Sequence, residues 1–284
     1  MRRIALATSL VLCFSHAPSA WQQPAFSSKV EAVRVDVLVT DKGQPIRGLS
    51  LGDFELLDNA VPQQLDLVSF EQIPLNLVLV LDMSSSVVGE RLEHLRAGAR
   101  SVLDGLKRED QAALVTFNHA VVRGAPLSGA LDRVRDGLAR PVIAGETSLV
   151  DAVYSGMLVG ESDAGRALAI VFSDGLDTAS WLTTDAVLDT ARRSDVVVYG
   201  VTAGESPRRS FLHELTDLTG GTLLDAGSAE NVGATFRKVL EEFRQRYLVS
   251  YSPRGVVRGG WHRLEVRVKR ANATVKARPG YLAD

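Results

Sequence analysis

Asn76-Leu77-Val78-Leu79-Val80-Leu81-Asp82-Met83-Ser84-Ser85-Ser86 runs from five consecutive leucines and valines into a carboxylate and three hydroxyls. The unbroken apolar run has no polar alternation, so it reads as a strand buried on both faces, as in a parallel sheet. Its end is unusual. Asp82, Ser84 and Ser86 form D-x-S-x-S where a turn residue would be ordinary. In open α/β sheets the carboxyl ends of the strands are where ligands bind, and oxygen-only donors suit a hard divalent cation.

Working outward, the chain after residue 75 alternates strand and helix. An amphipathic helix is expected near 88–107, with Leu92, Leu95, Ala99, Val102, Leu103 and Leu106 at helical spacing. Strand 112–117, an extended segment at 119–123, short helices near 129–139 and 148–159, and a buried strand at 167–172 follow. Beyond them come helix 183–194, strand 196–202, a helix capped by Ser206-Pro207 and running to 218, a short strand at 222–224, and a helix capped by Ser228 that ends near Arg244. This order predicts an α/β, Rossmann-like fold: a mostly parallel central sheet flanked by helices.

Both flanks read as β only. Val33, Val35, Val37 and Val39 share one face of a strand over 30–40. Two more strands are expected at 54–57 and 64–70, with Asp58-Asn59-Ala60 turning between them. After Arg246 strands are expected at 247–251, 262–269 and 274–277, the first two joined as a hairpin through Gly255, Gly259 and Gly260. Two separate small sheets would be too small to stand alone. The economical arrangement is one small β-sandwich made from the N- and C-terminal strands, with the α/β unit inserted. The expected boundaries are 1–20 leader, 21–28 disordered lead-in, 29–73 first part of the sandwich, 74–245 α/β domain and 246–284 second part of the sandwich.

The leader reads as a signal peptide. Arg2 and Arg3 precede an apolar stretch from Ile4 to Phe14, and Ala17-Pro18-Ser19 has the small-x-small pattern for cleavage after Ser19 or Ala20. About 11 apolar residues are too few to span a bilayer, and Leu12 before Cys13 is too large for a typical lipoprotein signal. Export to a periplasmic or extracellular location is expected, with no stable membrane insertion after cleavage. Cys13 is the only cysteine, so the mature chain carries no disulfide although it enters a compartment that permits one. A 45% apolar, 23% charged composition argues against disorder. Loss of Arg2 and Arg3 takes the net charge from −2 to −4, and no basic stripe with interleaved aromatics appears, so a nucleic-acid partner is not expected.

Two further oxygen-bearing loops join the first. Thr147 lies in Gly145-Glu146-Thr147-Ser148 ahead of a helix, and Asp174 closes the 167–172 strand. Alone, Ser84 and Ser86 would read as helix caps. With Thr147 and Asp174 on the same sheet edge, three hydroxyls and two carboxylates converge without histidine or cysteine, an inventory for Mg2+, with Ca2+ or Mn2+ as alternatives. An ion held by few carboxylates keeps residual positive charge, which an Asp or Glu side chain of a protein partner can satisfy.

Asp82-Met83-Ser84-Ser85-Ser86, Thr147 and Ser173-Asp174-Gly175 resemble, in order and spacing, the metal-ion-dependent adhesion site of von Willebrand factor A domains over about 75–245. The resemblance implies that Ser84, Ser86 and Thr147 ligate the ion directly while Asp82 and Asp174 act mainly through bound water. Val37 to Asp41, Gly48-Leu49, Asp53-Phe54, Ser69-Phe70, Tyr247 to Tyr251 and Arg278-Pro279-Gly280-Tyr281 are similar to the bacterial, acidobacterial-type VWFA-related proteins. Members of that family often carry glycine where Ser85 stands.

Other readings were weighed against this one. A secreted serine hydrolase using Ser84 or Ser86 would need a nearby histidine and a G-x-S-x-G elbow. No glycine brackets either serine, and His94, His119, His213 and His262 read as surface or edge residues. A structural envelope scaffold with a stabilising ion is the further alternative. Glu146 and Asp177 read as solvated loop acids, and Trp181 as either a binding anchor or a packed loop residue. The expectation is a non-enzymatic, exported binding module.

Overall fold

The computed structural model describes residues 32–70, 73–140, 142–162, 164–173, 176–203 and 210–283. The leader, the lead-in, Asp174 and the Ser206-Pro207 cap lie outside the described residues. The first strands are β1 (Val33–Asp41), β2 (Gln44–Pro45), β3 (Phe54–Asp58), β4 (Val61–Gln63) and β5 (Leu65–Ser69). The α/β stretch follows as β6 (Leu75–Asp82), α1 (Glu90–Asp104), β7 (Gln111–Phe117), β8 (Val121–Ser128), α2 (Leu131–Ala139), α3 (Leu149–Gly160), β9 (Arg166–Phe172), α4 (Thr184–Arg193), β10 (Val197–Thr202), α5 (Ser210–Thr219), β11 (Leu223–Asp225) and α6 (Val232–Arg244). The last strands are β12 (Tyr247–Tyr251), β13 (Gly260–Val268), β14 (Ala273–Lys276) and β15 (Gly280–Ala283).

The apolar run in β6 is buried along its whole length because both of its faces are covered. Leu77, Leu79 and Leu81 pack with Leu95, Ala99 and Val102 of α1 and with Phe236 and Val239 of α6. Val78 and Val80 point the other way, into Val153 and Met157 of α3, Val187 of α4 and Leu212 of α5. Each such leucine removed from water contributes about 2 kcal/mol. The sheet order is β11-β10-β9-β6-β7-β8, and every pairing is parallel except β7 with β8. β6 pairs β7 on one side and β9 on the other. The connections therefore diverge at its carboxyl end and leave a crevice there.

The remaining strands form two sheets, β14-β1-β12-β5 with β2 on β1, and β15-β13-β3-β4. Each sheet takes strands from both ends of the chain. Val35, Val37 and Val39 of β1 and Tyr247, Val249 and Tyr251 of β12 share one cluster with Phe54 and Leu56 of β3 and Leu264 of β13.

Four expectations are corrected here. β12 and β13 are not a hairpin: β12 already has β1 and β5 on its two edges, so the loop through Gly255 and Gly260 carries the chain across to β3 of the other sheet. The turn at Asn59 and Ala60, both at positive φ (48° and 65°), joins β3 to β4 rather than to β5. Asp58 is no turn residue; it is fully buried and accepts from Tyr251 Oη at 2.8 Å and Tyr281 Oη at 3.1 Å, with His262 Nδ1 at 2.8 Å. His262 is accordingly a core residue, stacked on Tyr281. Ser228 precedes a short 3-10 turn at Ala229–Asn231 and makes no side-chain cap bond.

Candidate metal centre

Three loops meet at the carboxyl edge of the sheet, and the first is set by Asp82. Its carboxylate is fully buried, which is tolerable because donors meet both oxygens. Oδ1 accepts from Ser84 N at 2.8 Å and Oδ2 from Ser173 Oγ at 2.9 Å, so the residue bridges the ends of β6 and β9. Val87 N returning to Ser84 O at 3.0 Å closes the turn. Ser84 is buried and Ser86 exposed, and their hydroxyl oxygens lie 3.0 Å apart. Adjacent ligands of an octahedral Mg2+ at its usual bond length sit about 2.9 Å apart. The spacing of these two oxygens fits that ion.

The second loop is fastened to the first and to β7. Ser85 Oγ donates to Gly145 O at 3.0 Å, and Ala144 N donates to Met83 O at 3.3 Å. Serine in place of glycine thus gains a strap, invisible in the sequence because its acceptor is 60 residues away. Buried Asn118 donates from Nδ2 to Val142 O at 2.8 Å, while its own carbonyl receives Ser148 N at 2.7 Å. Thr147 is buried, and its backbone is committed to the third loop: its N donates to Thr178 Oγ1 at 2.9 Å, and its O accepts from Thr178 N and Ala179 N at 2.9 and 3.1 Å.

The third loop also holds the start of α3. Ser148 makes no side-chain cap bond; Asp177 supplies one from outside the helix, accepting Val150 N at 3.2 Å and Ser180 Oγ at 2.6 Å. Asp177 and Glu146 are both exposed, as expected of solvated loop acids, but Asp177 also holds the start of α3 through these bonds. Asp151 in the first turn of α3 receives Trp181 N at 3.0 Å and Leu182 N at 2.9 Å on its two oxygens. Asp151→Ala is expected to speed hydrogen exchange at the Trp181 and Leu182 amides by about tenfold or more, since a bond to a charged acceptor contributes about 1.5–3 kcal/mol. Unchanged exchange at those two amides would refute this anchoring.

Asp82 is bonded to the Ser84 amide, and the hydroxyls of Ser84 and Ser86 meet; Thr147 is linked to that loop only along the chain, through Gly145 two residues before it, which accepts from Ser85. Asp174 lies outside the described residues. Asn118 and Asp151 were not singled out from sequence, and Ser173 was quoted only within Ser173-Asp174-Gly175, without its bond to Asp82; Asn118, like Ser173, follows a buried strand, which is a local signal.

Residues 76–238, more than half of the chain, match the von Willebrand factor type A domain. The chain belongs to that family. The matched type A domain runs from β6 into α6, and known proteins with this fold resemble it at low identity. Proximal thread matrix protein 1 of the mussel byssus, solved with zinc in its MIDAS motif, is 15% identical, with a TM-score of 0.55, over 64% of this chain and 48% of that one. An aerotolerance-related membrane protein of Bacteroides fragilis is 13% identical, with a TM-score of 0.51, over 60% of this chain and 99% of that one. An uncharacterized Synechocystis protein, sll0103, is 33% identical over 73 residues, 22% of this chain; the match spans only 17% of that relative's length.

Two of the histidines are paired with acids. His213 pairs with Asp217 along α5, at 3.0 Å, and His262 is buried against Asp58. Among the described residues no helix is long and apolar enough to cross a membrane.

Proposed function

We propose that this type A domain is an exported protein-binding module that captures an acidic side chain of a partner through Mg2+ at the three-loop edge. The observation that carries the reading is the pair of hydroxyls on Ser84 and Ser86, 3.0 Å apart, on the loop that leaves a buried Asp82, whose carboxylate accepts from Ser84 N and from Ser173 at the end of β9. Ser84, Ser86 and Thr147 are the direct ligands in this reading, with Asp82 and Asp174 acting through water. When bound, the ion supplies an open coordination position for an anionic oxygen. The protein's share is rigidity. Ser85, Asn118 and Asp177 hold the loops in place, so little ordering entropy is lost when a ligand arrives.

Neutral hydroxyl donors leave the ion most of its charge, which favours a carboxylate over a neutral ligand. Among the described residues the Ser84 hydroxyl is bonded to that of Ser86 rather than to a histidine, and His262 sits in the separate core of the outer sheets. A non-enzymatic role is the reading that fits. The two outer sheets, taken as one sandwich from 29–73 and 246–284, carry the domain of 74–245.

Titration calorimetry with Mg2+ tests the site. The unmutated mature protein is expected to give a saturable heat that Asp82→Ala abolishes and Thr147→Ala weakens at least tenfold, with the melting temperature measured alongside to confirm folding. Absence of metal heat from the folded, unmutated protein at high concentration would overturn the reading.

A further inference from the structure

Trp181 is the most exposed large apolar side chain among the described residues, at 94%. An indole given wholly to water loses the burial that ordinarily keeps tryptophan in a fold. Yet its backbone is not loose. Both carboxylate oxygens of Asp151 hold the consecutive amides of Trp181 and Leu182, and Ser180 bonds Asp177 through its hydroxyl and receives Asp151 N. The chain thus orders this loop with charge-assisted bonds and then displays an unpacked ring on it.

The three loops expose other apolar side chains as well. Val88 follows the first loop, Val142 lies in the second, and Leu176 and Leu182 lie in the third; all four are exposed. Val88 and Val142 are carried by the loops that present Ser84 and Thr147, and the Trp181 loop is bonded directly to Thr147 through Thr178. A carboxylate reaching an ion beside such side chains would lose part of its water, and desolvation strengthens the charge pairing.

We infer that the Trp181 loop is the apolar half of the binding surface, and that the partner is a protein segment whose acidic residue is flanked by an aromatic or large aliphatic side chain. This rests on the acid-capture reading above. Charge complementarity places the acid at the ion, and the exposed indole on the loop bonded to Thr147 receives its neighbour. The fixed backbone of Trp181 favours such a contact, because little freedom remains to be lost when a side chain stacks on it.

The test uses two capped peptides, Ac-Phe-Asp-Phe-NH2 and Ac-Gly-Asp-Gly-NH2, titrated into the mature protein at saturating Mg2+ and again with chelator. The aromatic peptide is expected to bind about tenfold more tightly, in a Mg2+-dependent way, and Trp181→Ala to erase that preference while leaving the Mg2+ heat unchanged. Trp181→Phe should restore part of it. Equal binding of the two peptides, no binding of the aromatic one despite normal Mg2+ heat, or a preference that survives Trp181→Ala overturns this inference and leaves the metal site standing. Absence of Mg2+ heat removes the metal site and this inference together. Sedimentation of the free protein runs alongside: a dimer dissolved by Trp181→Ala would assign the ring to self-association and overturn the proposal.

Discussion

Gly221→Ala is expected to prevent the chain from reaching its native fold. Helix α5 ends in a Schellman arrangement: Gly220 N donates to Asp217 O at 3.2 Å and Gly221 N to Thr216 O at 2.8 Å, with Gly220 at φ 77°. The turn drives Gly221 against the sheet, where a Cβ would stand 1.8 Å from Val198 O and 2.7 Å from Val198 C. Val198 cannot step aside, because β10 is hydrogen-bonded between β9 and β11 and its carbonyl is backbone. A clash with paired backbone, unlike one with a flexible side-chain tip, has no inexpensive relief. The cost should exceed about 4 kcal/mol, at the extreme of single substitutions. Near-UV circular dichroism and the soluble yield report it. Gly227→Ala is the control: it has positive φ (72°) but nothing within 4 Å, so it should cost only about 1–2 kcal/mol. A Gly221→Ala protein with native dichroism and a urea midpoint like that of the control would show the account to be wrong.

Arg246→Ala is expected to destabilise the fold by about 3–5 kcal/mol, the usual loss when one partner of a buried charged network is removed. Arg246 follows α6, directly precedes β12, and is fully buried. Its Nη2 donates to Tyr199 Oη at 2.7 Å and Gly220 O at 2.8 Å, and its Nη1 to Asp36 O at 3.4 Å. Its guanidinium carbon lies 5.4 Å from the Tyr199 ring centroid. One side chain therefore ties β10, the end of α5 and β1 together. Burial pushes the Tyr199 hydroxyl well above its ordinary titration range, so it stays protonated and donates to Glu242 Oε1 at 2.5 Å. Truncating Arg246 leaves Gly220 O without this donor and opens a cavity the size of the lost side chain. Thermal melting should fall by roughly 10 °C. Lysine should rescue little, because a point charge cannot serve the forked set of acceptors. A melting temperature within about 2 °C of the unmutated protein would count against this role.

Much of the fold was legible because its causes are local. The apolar run at Leu77 to Leu81 needs no partner to declare itself a buried strand, and the helical spacing of Leu92, Leu95, Ala99 and Val102 names the face of α1 that packs. The outer strands were legible one by one but not in their pairing. Nothing between residues 247 and 269 says that β12 is already occupied on both edges, so a glycine-rich loop was read as a hairpin when it crosses between sheets. Asp58 misled for the opposite reason. Asp-Asn-Ala is good turn chemistry, but the acid is claimed by Tyr251, His262 and Tyr281, about 200 residues later.

The candidate site divides along the same line. The oxygen donors of Asp82, Ser84 and Ser86 stand within five residues, and their place at the end of a buried strand is a matter of periodicity, so the sequence alone determined an α/β chain with a cluster of hard-cation donors at one strand tip. The tertiary structure decided what holds that cluster and what surrounds it: Ser173 on Asp82, Ser85 on Gly145, Asp177 and Asp151 across α3, and an indole left in water beside them. A strand's hydrophobic pattern is written in neighbouring residues. A hydrogen bond across 27 to 91 residues depends on which strands become neighbours, and that is settled only when the whole core is packed.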